Sequence, residues 1–281
     1  MRARESKRGV AKALLFASVV CGALLALAGG WVSRASSNMT EGFNLFSPEQ
    51  DVELGRASAE EIARQSVVVE DARVNAYVQR LGEKIAGRAQ GPRFSYKFVV
   101  VDSPEANAFA LPGGYVFINS GAIEAARNEG ELAGVLAHEI SHVALRHGTN
   151  QASKAYLAKT GMRLLDAALG GAKNDLRKLA GALGLEGPGR LFVRLNRDAE
   201  LQADTEGARL MAEAGYDPRD MAHFFQRLGE REDGTAREAS GDHPDPARRA
   251  AAIQGLLPSL GVGASPLHNT EEFRQIKARL R

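Results

Sequence analysis

The feature that most constrains this chain is a five-residue stretch, His138-Glu139-Ile140-Ser141-His142. The H-E-x-x-H spacing sets two imidazoles one helical turn apart with a carboxylate between them. That donor set can hold a Zn²⁺ and activate its bound water, provided the stretch is helical. Only 6 histidines occur in 281 residues, so the pairing is informative. The flanks predict a helix over 131–147. Asn128 is placed to cap it, and Glu131 follows three residues later as in a capping box. Leu132, Leu136, Ile140 and Val143 recur at helical spacing, and alanines fill much of the rest. A helix so apolar on most sides is a buried one, so His138 and His142 should project inside the protein. Gly148, after Arg146 and His147, is the expected stop.

Two core histidines bonding locally would be the bland alternative. A buried Glu139 without a role argues against it, because an unpaired buried carboxylate loses its hydration. A catalytic zinc needs a third protein ligand and an open position. The three-histidine version of the motif is absent, since Leu145 and Gly148 stand where it requires Gly and His. The next glutamates are Glu186, in a Gly- and Pro-rich stretch, and Glu200, in a Pro-free helical run over about 191–214. Glu200 is the better placed. Asp204 lies one turn further on the same face, where a carboxylate can orient a metal-bound imidazole. A solvated surface charge is the competing reading of Glu200.

These blocks, with others in order, resemble the HtpX-like and BepA-like zinc metallopeptidases, relatives of the CAAX prenyl protease. The resemblance runs over roughly residues 44–255. It rests on Asn44–Gln50 with Leu54-Gly55, on Asn107–Ile118 before the motif, on HEISH, on Glu200 and Asp204, and on His243-Pro244. It implies that His138, His142 and Glu200 are ligands to one Zn²⁺ and that Glu139 is the general base. Zinc lowers the pKa of its water to about 7 and polarises a peptide carbonyl, and the carboxylate moves the proton. His243 would stabilise the developing oxyanion or plug the metal. The alternative is a surface loop residue before a helix. His147, His223 and His268 read as structural or surface residues.

The remaining sequence fits a mainly α fold with a small β-sheet (α+β). Helices are expected over 47–67, 71–89, 131–147, 191–214, 218–228 and 245–257, with strands near 95–101 and 115–118. An exposed strand edge there could pair with an extended peptide, with Asn107, Gly114 and Tyr115 as candidate substrate-binding residues; an ordinary interior strand is equally compatible. Residues 152–189, rich in Ala, Lys and Gly, read as a helical arm or a peripheral hairpin. Composition is that of one globular unit, 44% hydrophobic and 25% charged.

The N-terminus suggests the compartment. Arg2, Arg4, Lys7, Arg8 and Lys12 precede an apolar run over 13–32, so residues 1–35 read as a signal peptide or a membrane anchor and 36–281 as the peptidase domain. Cleavage after Ala26-Leu27-Ala28, small residues at cleavage spacing, takes five of 36 basic and one of 34 acidic residues, and the net charge moves from +2 to −2. The basicity is thus a targeting feature and no argument for nucleic acid. The expected place is a bacterial periplasm or envelope, with membrane contact only through the N-terminal segment. Expected partners are unfolded or misfolded polypeptides and envelope assembly machinery. The expected function is a zinc endopeptidase in envelope quality control. A chaperone-like binder with little turnover is the alternative, which the intact Glu139 disfavours.

Overall fold

The structure is a computed structural model that describes residues 42–154, 197–231 and 246–280. The N-terminal segment 1–35, most of the 152–189 arm, Glu186 and His243 lie outside the described residues. Among the described residues no helix is long and apolar enough to cross a membrane.

Helix α1 (Pro48–Gln65) starts at a full capping box. Ser47 accepts from the Gln50 backbone N–H, and the Gln50 side chain accepts from that of Ser47. Helix α2 (Ala72–Ala86) is capped by Asp71. Three strands follow: β1 (Lys97–Val101), β2 (Ala108–Leu111) and β3 (Tyr115–Asn119). β3 is central, parallel to β1 and antiparallel to β2. The expected strands are thus present, and β2 joins them. Its AFAL sequence is too short and too uniformly apolar to display a period of two.

The pleat divides the sheet between two cores. Phe98, Val100, Ala108, Val116 and Ile118 face the main core with α2 and the motif helix. Val101, Leu111 and Phe117 face Ala59 and Ile62 of α1. The β2–β3 connection is a tight 3₁₀ turn, Pro112–Gly114, seated on α1. Gly113 there has φ 75°, and a Cβ would fall 2.6 Å from the Val52 nitrogen. Glycine is required on both counts.

A short helix α3 (Ser120–Ala125) leads to α4 (Glu129–Ala144), whose 16 residues are all buried. Asn128 caps α4 as expected, its Oδ1 accepting from the Glu131 N–H at 2.8 Å. The Glu131 side chain completes no box. It accepts from the Arg127 backbone N–H at 2.7 Å and pairs with Arg227. The end of α4 also differs from expectation. The helix stops at Ala144, and Arg146, not Gly148, takes the left-handed conformation with φ 55°. Helical structure resumes over 147–154. Such a backbone costs an L-residue about 1–2 kcal/mol and persists only where tertiary contacts hold it. Here the Arg146 Nε donates to Asp51 Oδ2 at 2.6 Å, and its guanidinium also reaches the Phe46 carbonyl.

Helices α5 (Arg197–Glu213), α6 (Pro218–Arg231), α7 (Pro246–Leu256) and α8 (Glu271–Arg279) complete the described fold. α5 and α6 pack against α4. Gly207 allows the first approach: a Cβ there would lie 3.3 Å from the His138 backbone nitrogen. The mainly α architecture with a small sheet, and a motif helix buried beneath a later helix carrying Glu200, is the one expected.

Candidate metal centre and substrate cleft

α4 projects His138 and His142 from one face, and α5 sets Glu200 against them. The three offer ligand atoms within 4.8 Å of one another, and all three are buried. His138 Nε2 and His142 Nε2 are 2.9 Å apart, and each stands 3.5 Å from a Glu200 carboxylate oxygen. Two imidazole nitrogens and one carboxylate converging, all buried, match the ligand chemistry of a single catalytic Zn²⁺. The cluster therefore fits the ion.

Each imidazole has its own supporting group on the far nitrogen. Asp204 Oδ1 lies 3.0 Å from His138 Nδ1. Arg249 of α7 holds that carboxylate twice, Nε to Oδ2 at 2.9 Å and Nη2 to Oδ1 at 2.7 Å. The same guanidinium comes within 3.0 Å of His138 Nδ1 and stacks over the Phe225 ring. Burial and the Arg249 charge both oppose a proton on His138. Hydrogen bonds to Asp204 and Glu200 outweigh them and push the metal-free imidazole up to about 9. Burial also opposes the ionised Asp204, but the Arg249 charge prevails and its pKa is lowered.

His142 is supported differently. Its Nδ1 lies 2.9 Å from His147 Nδ1, and His147 Nε2 lies 3.1 Å from Gln202 Oε1 on α5. His147 is 6% exposed, and burial pushes its pKa down to about 4. Of the two readings of His147, structural or surface, the surface one does not hold: it is buried and touches a ligand of the cluster. The signal was present in its position five residues after His142, but a continuous helix would carry it about 140° around, away from that face. The Arg146 break changes this. Arg249 was also missed, because a contact across 111 residues leaves no local pattern. His223 is exposed, and His268 pairs with Asp220 at 2.7 Å; both stand apart from the cluster.

A cavity of about 480 Å³ opens onto this centre. Glu139 and His142 line it, together with β2, residues 65–67 at the end of α1, and Asp51 and Arg146. Asn107 lines it too; its Oδ1 accepts from the Ala108 N–H at 2.9 Å, and its carbonyl accepts from Asn119 N–H at 3.0 Å. Gly114 and Tyr115 are not among the lining residues. Tyr115 begins the central strand, and the Lys97 ammonium sits 5.3 Å from its ring. The strand edge at the cleft therefore belongs to β2. Ladder bonds of an antiparallel pair alternate. With Asn107 bonded to Asn119 and Phe109 opposite Phe117, the backbone groups of Ala108 and Ala110 point away from β3, toward the cavity side.

The model of Peptidase family M48 matches residues 72–257 of this sequence. The chain belongs to peptidase family M48. The match takes in α2 through α7, and so every residue of the cluster. Among curated relatives, the Beta-barrel assembly-enhancing protease of Yersinia pestis is 29% identical over 188 residues, 66% of this chain and 39% of that protein. Its Escherichia coli K12 counterpart is 26% identical over 249 residues, 85% of this chain and 50% of that protein. Metalloprotease LoiP of Escherichia coli K12 is 27% identical over 190 residues, 68% of this chain and 71% of LoiP. The chain thus spans half or less of the assembly-enhancing proteases it matches. Membership in M48 and the buried His-His-Glu cluster together support a zinc metalloendopeptidase.

Proposed function

We propose that this chain is an endopeptidase for extended, unfolded polypeptide, with one zinc held by His138, His142 and Glu200. The carrying observation is the shared cavity, which joins Glu139 and His142 to the outward backbone edge of β2. When bound, zinc supplies a Lewis acid for a peptide carbonyl and a water acidified to near neutrality. The rest falls to the chain. Glu139, 4% exposed on the cavity wall, takes the proton from the attacking water and returns it to the leaving amine. Asp204 keeps the proton of His138 on Nδ1, so that Nε2 faces the cluster. Ala110, and the carbonyl of Ala108, offer main-chain bonds to a substrate strand. Such bonds ignore side-chain identity and suit substrates of varied sequence. His243, just ahead of α7 in the chain, is our candidate for the oxyanion donor or a metal plug, on the family resemblance alone.

We further place the enzyme at the periplasmic side of a bacterial envelope, in quality control of misassembled envelope proteins. Two observations support this: the basic and then apolar segment at 1–35, and relatives named for β-barrel assembly. The peptidase reading is tested by incubating the zinc-loaded protein with denatured casein and mapping the peptides. Wild type should give internal cuts, and Glu139→Gln should give none while retaining zinc. Equal cleavage by both proteins would remove Glu139 from the role of base. Binding of unfolded chains without cleavage by wild type would favour the chaperone-like alternative.

A further inference from the structure

The two imidazoles of the cluster are backed by groups of opposite kinds, a carboxylate for His138 and a third histidine for His142. We propose that His147 is a positioning residue, which locks the tautomer and ring plane of His142 through a relay that ends on Gln202. The inference rests on the zinc reading above.

The Nδ1 atoms of His142 and His147 meet 2.9 Å apart on the side away from the metal position, where one must donate and the other accept. The Gln202 Oε1 at the far end accepts, so His147 carries its hydrogen on Nε2. Its Nδ1 is then a lone pair, and His142 must donate from Nδ1. That leaves the His142 Nε2 lone pair aimed at His138 Nε2 and Glu200. The reverse direction would put the hydrogen of a neutral His142 on Nε2 and forbid metal ligation. Only one polarity of the relay is therefore compatible with a metal at the cluster.

The backbone is arranged to allow this contact. Arg146 leaves the helical path directly after α4, and its side chain is held by Asp51 and the Phe46 carbonyl. The reversal returns His147 to the His142 face. Gln202 comes from α5, the helix that also carries Glu200 and Asp204. One helix thus supplies a ligand, the carboxylate behind His138 and the end of the relay behind His142.

The test compares zinc affinity in wild type, His147→Ala and His147→Asn by competition with a chromophoric chelator. Visible spectra of the Co²⁺-substituted proteins are read alongside. Asn places its Oδ1 near the position of His Nδ1, so it can accept from His142 without an imidazole. His147→Ala should weaken zinc 10- to 100-fold, the range usual for such supporting groups. It should also shift the cobalt absorption, and His147→Asn should restore both to near wild type. Zinc affinity of His147→Ala within threefold of wild type would overturn the proposal. So would equal losses in both variants, which would mean that ring volume alone matters. Absence of zinc binding by wild type would instead overturn the zinc reading itself.

Discussion

The floor and the wall of the cleft are built on different principles. The floor, α4 against α5, works through side chains: His138, Glu139, His142, Glu200 and Asp204 are all buried and fixed by partners. The wall, β2, contributes backbone: the Ala108 and Ala110 side chains pack on the main core while their main-chain groups turn away from β3. Chemistry that depends on a named functional group tolerates no substitution at that group. Recognition by main chain tolerates many, so long as the strand stays extended and its N–H groups stay available. The contrast predicts that damage to the floor lowers kcat or empties the metal site, whereas damage to the wall raises KM.

The largest effect should come from Glu139→Gln. It keeps the size and one acceptor oxygen but removes the base, so kcat should fall on the order of 10²–10⁴-fold with zinc content unchanged. Loss of zinc in this variant would instead make Glu139 part of the metal support. Asp204→Ala comes next. Arg249 and His138 lose their shared partner, and zinc affinity should drop about 10- to 100-fold by chelator competition. On the wall, Ala110→Pro removes one outward N–H from an edge strand, a place where proline is tolerated. One lost hydrogen bond, about 1 kcal/mol, should raise KM several-fold and leave kcat and zinc content intact. A fall in kcat alone would contradict the division between floor and wall.

A further change on the floor is set by pH. In the metal-free protein His138 is pushed up to about 9, so at pH 7 it carries a proton that zinc must displace. Zinc affinity should therefore rise about tenfold per pH unit from 7 toward 9 and flatten above it. The linkage to folding has the opposite sign. The raised pKa stabilises the metal-free fold fully below about 6.5, the unfolded value, and that contribution is lost as pH climbs through about 9. Denaturation of metal-free protein at pH 6 and pH 10 checks the sign.

What could be read before folding follows the same division. HEISH, the Asn128 cap and the apolar stripe of α4 lie within one element, where the 3.6-residue period records which face is buried. Glu200 and Asp204 could be paired by the same period on α5. β2 left almost no trace, since four apolar residues show no alternation and its contribution is backbone. Gly114 and Tyr115 marked the strand that could be seen, β3, and the ladder placed that strand in the centre of the sheet.

By itself the sequence determined the donors, the helix that presents them and the carboxylate between them, because these depend on residue identity at fixed local spacing. Only the tertiary structure decided what stands behind each donor. Arg249 reaches His138 across 111 residues, and His147 reaches His142 because Arg146 abandons the helix under the hold of Asp51, 95 residues earlier. Periodicity describes one element at a time, whereas the second partner of a buried imidazole is chosen by whichever element packs against it.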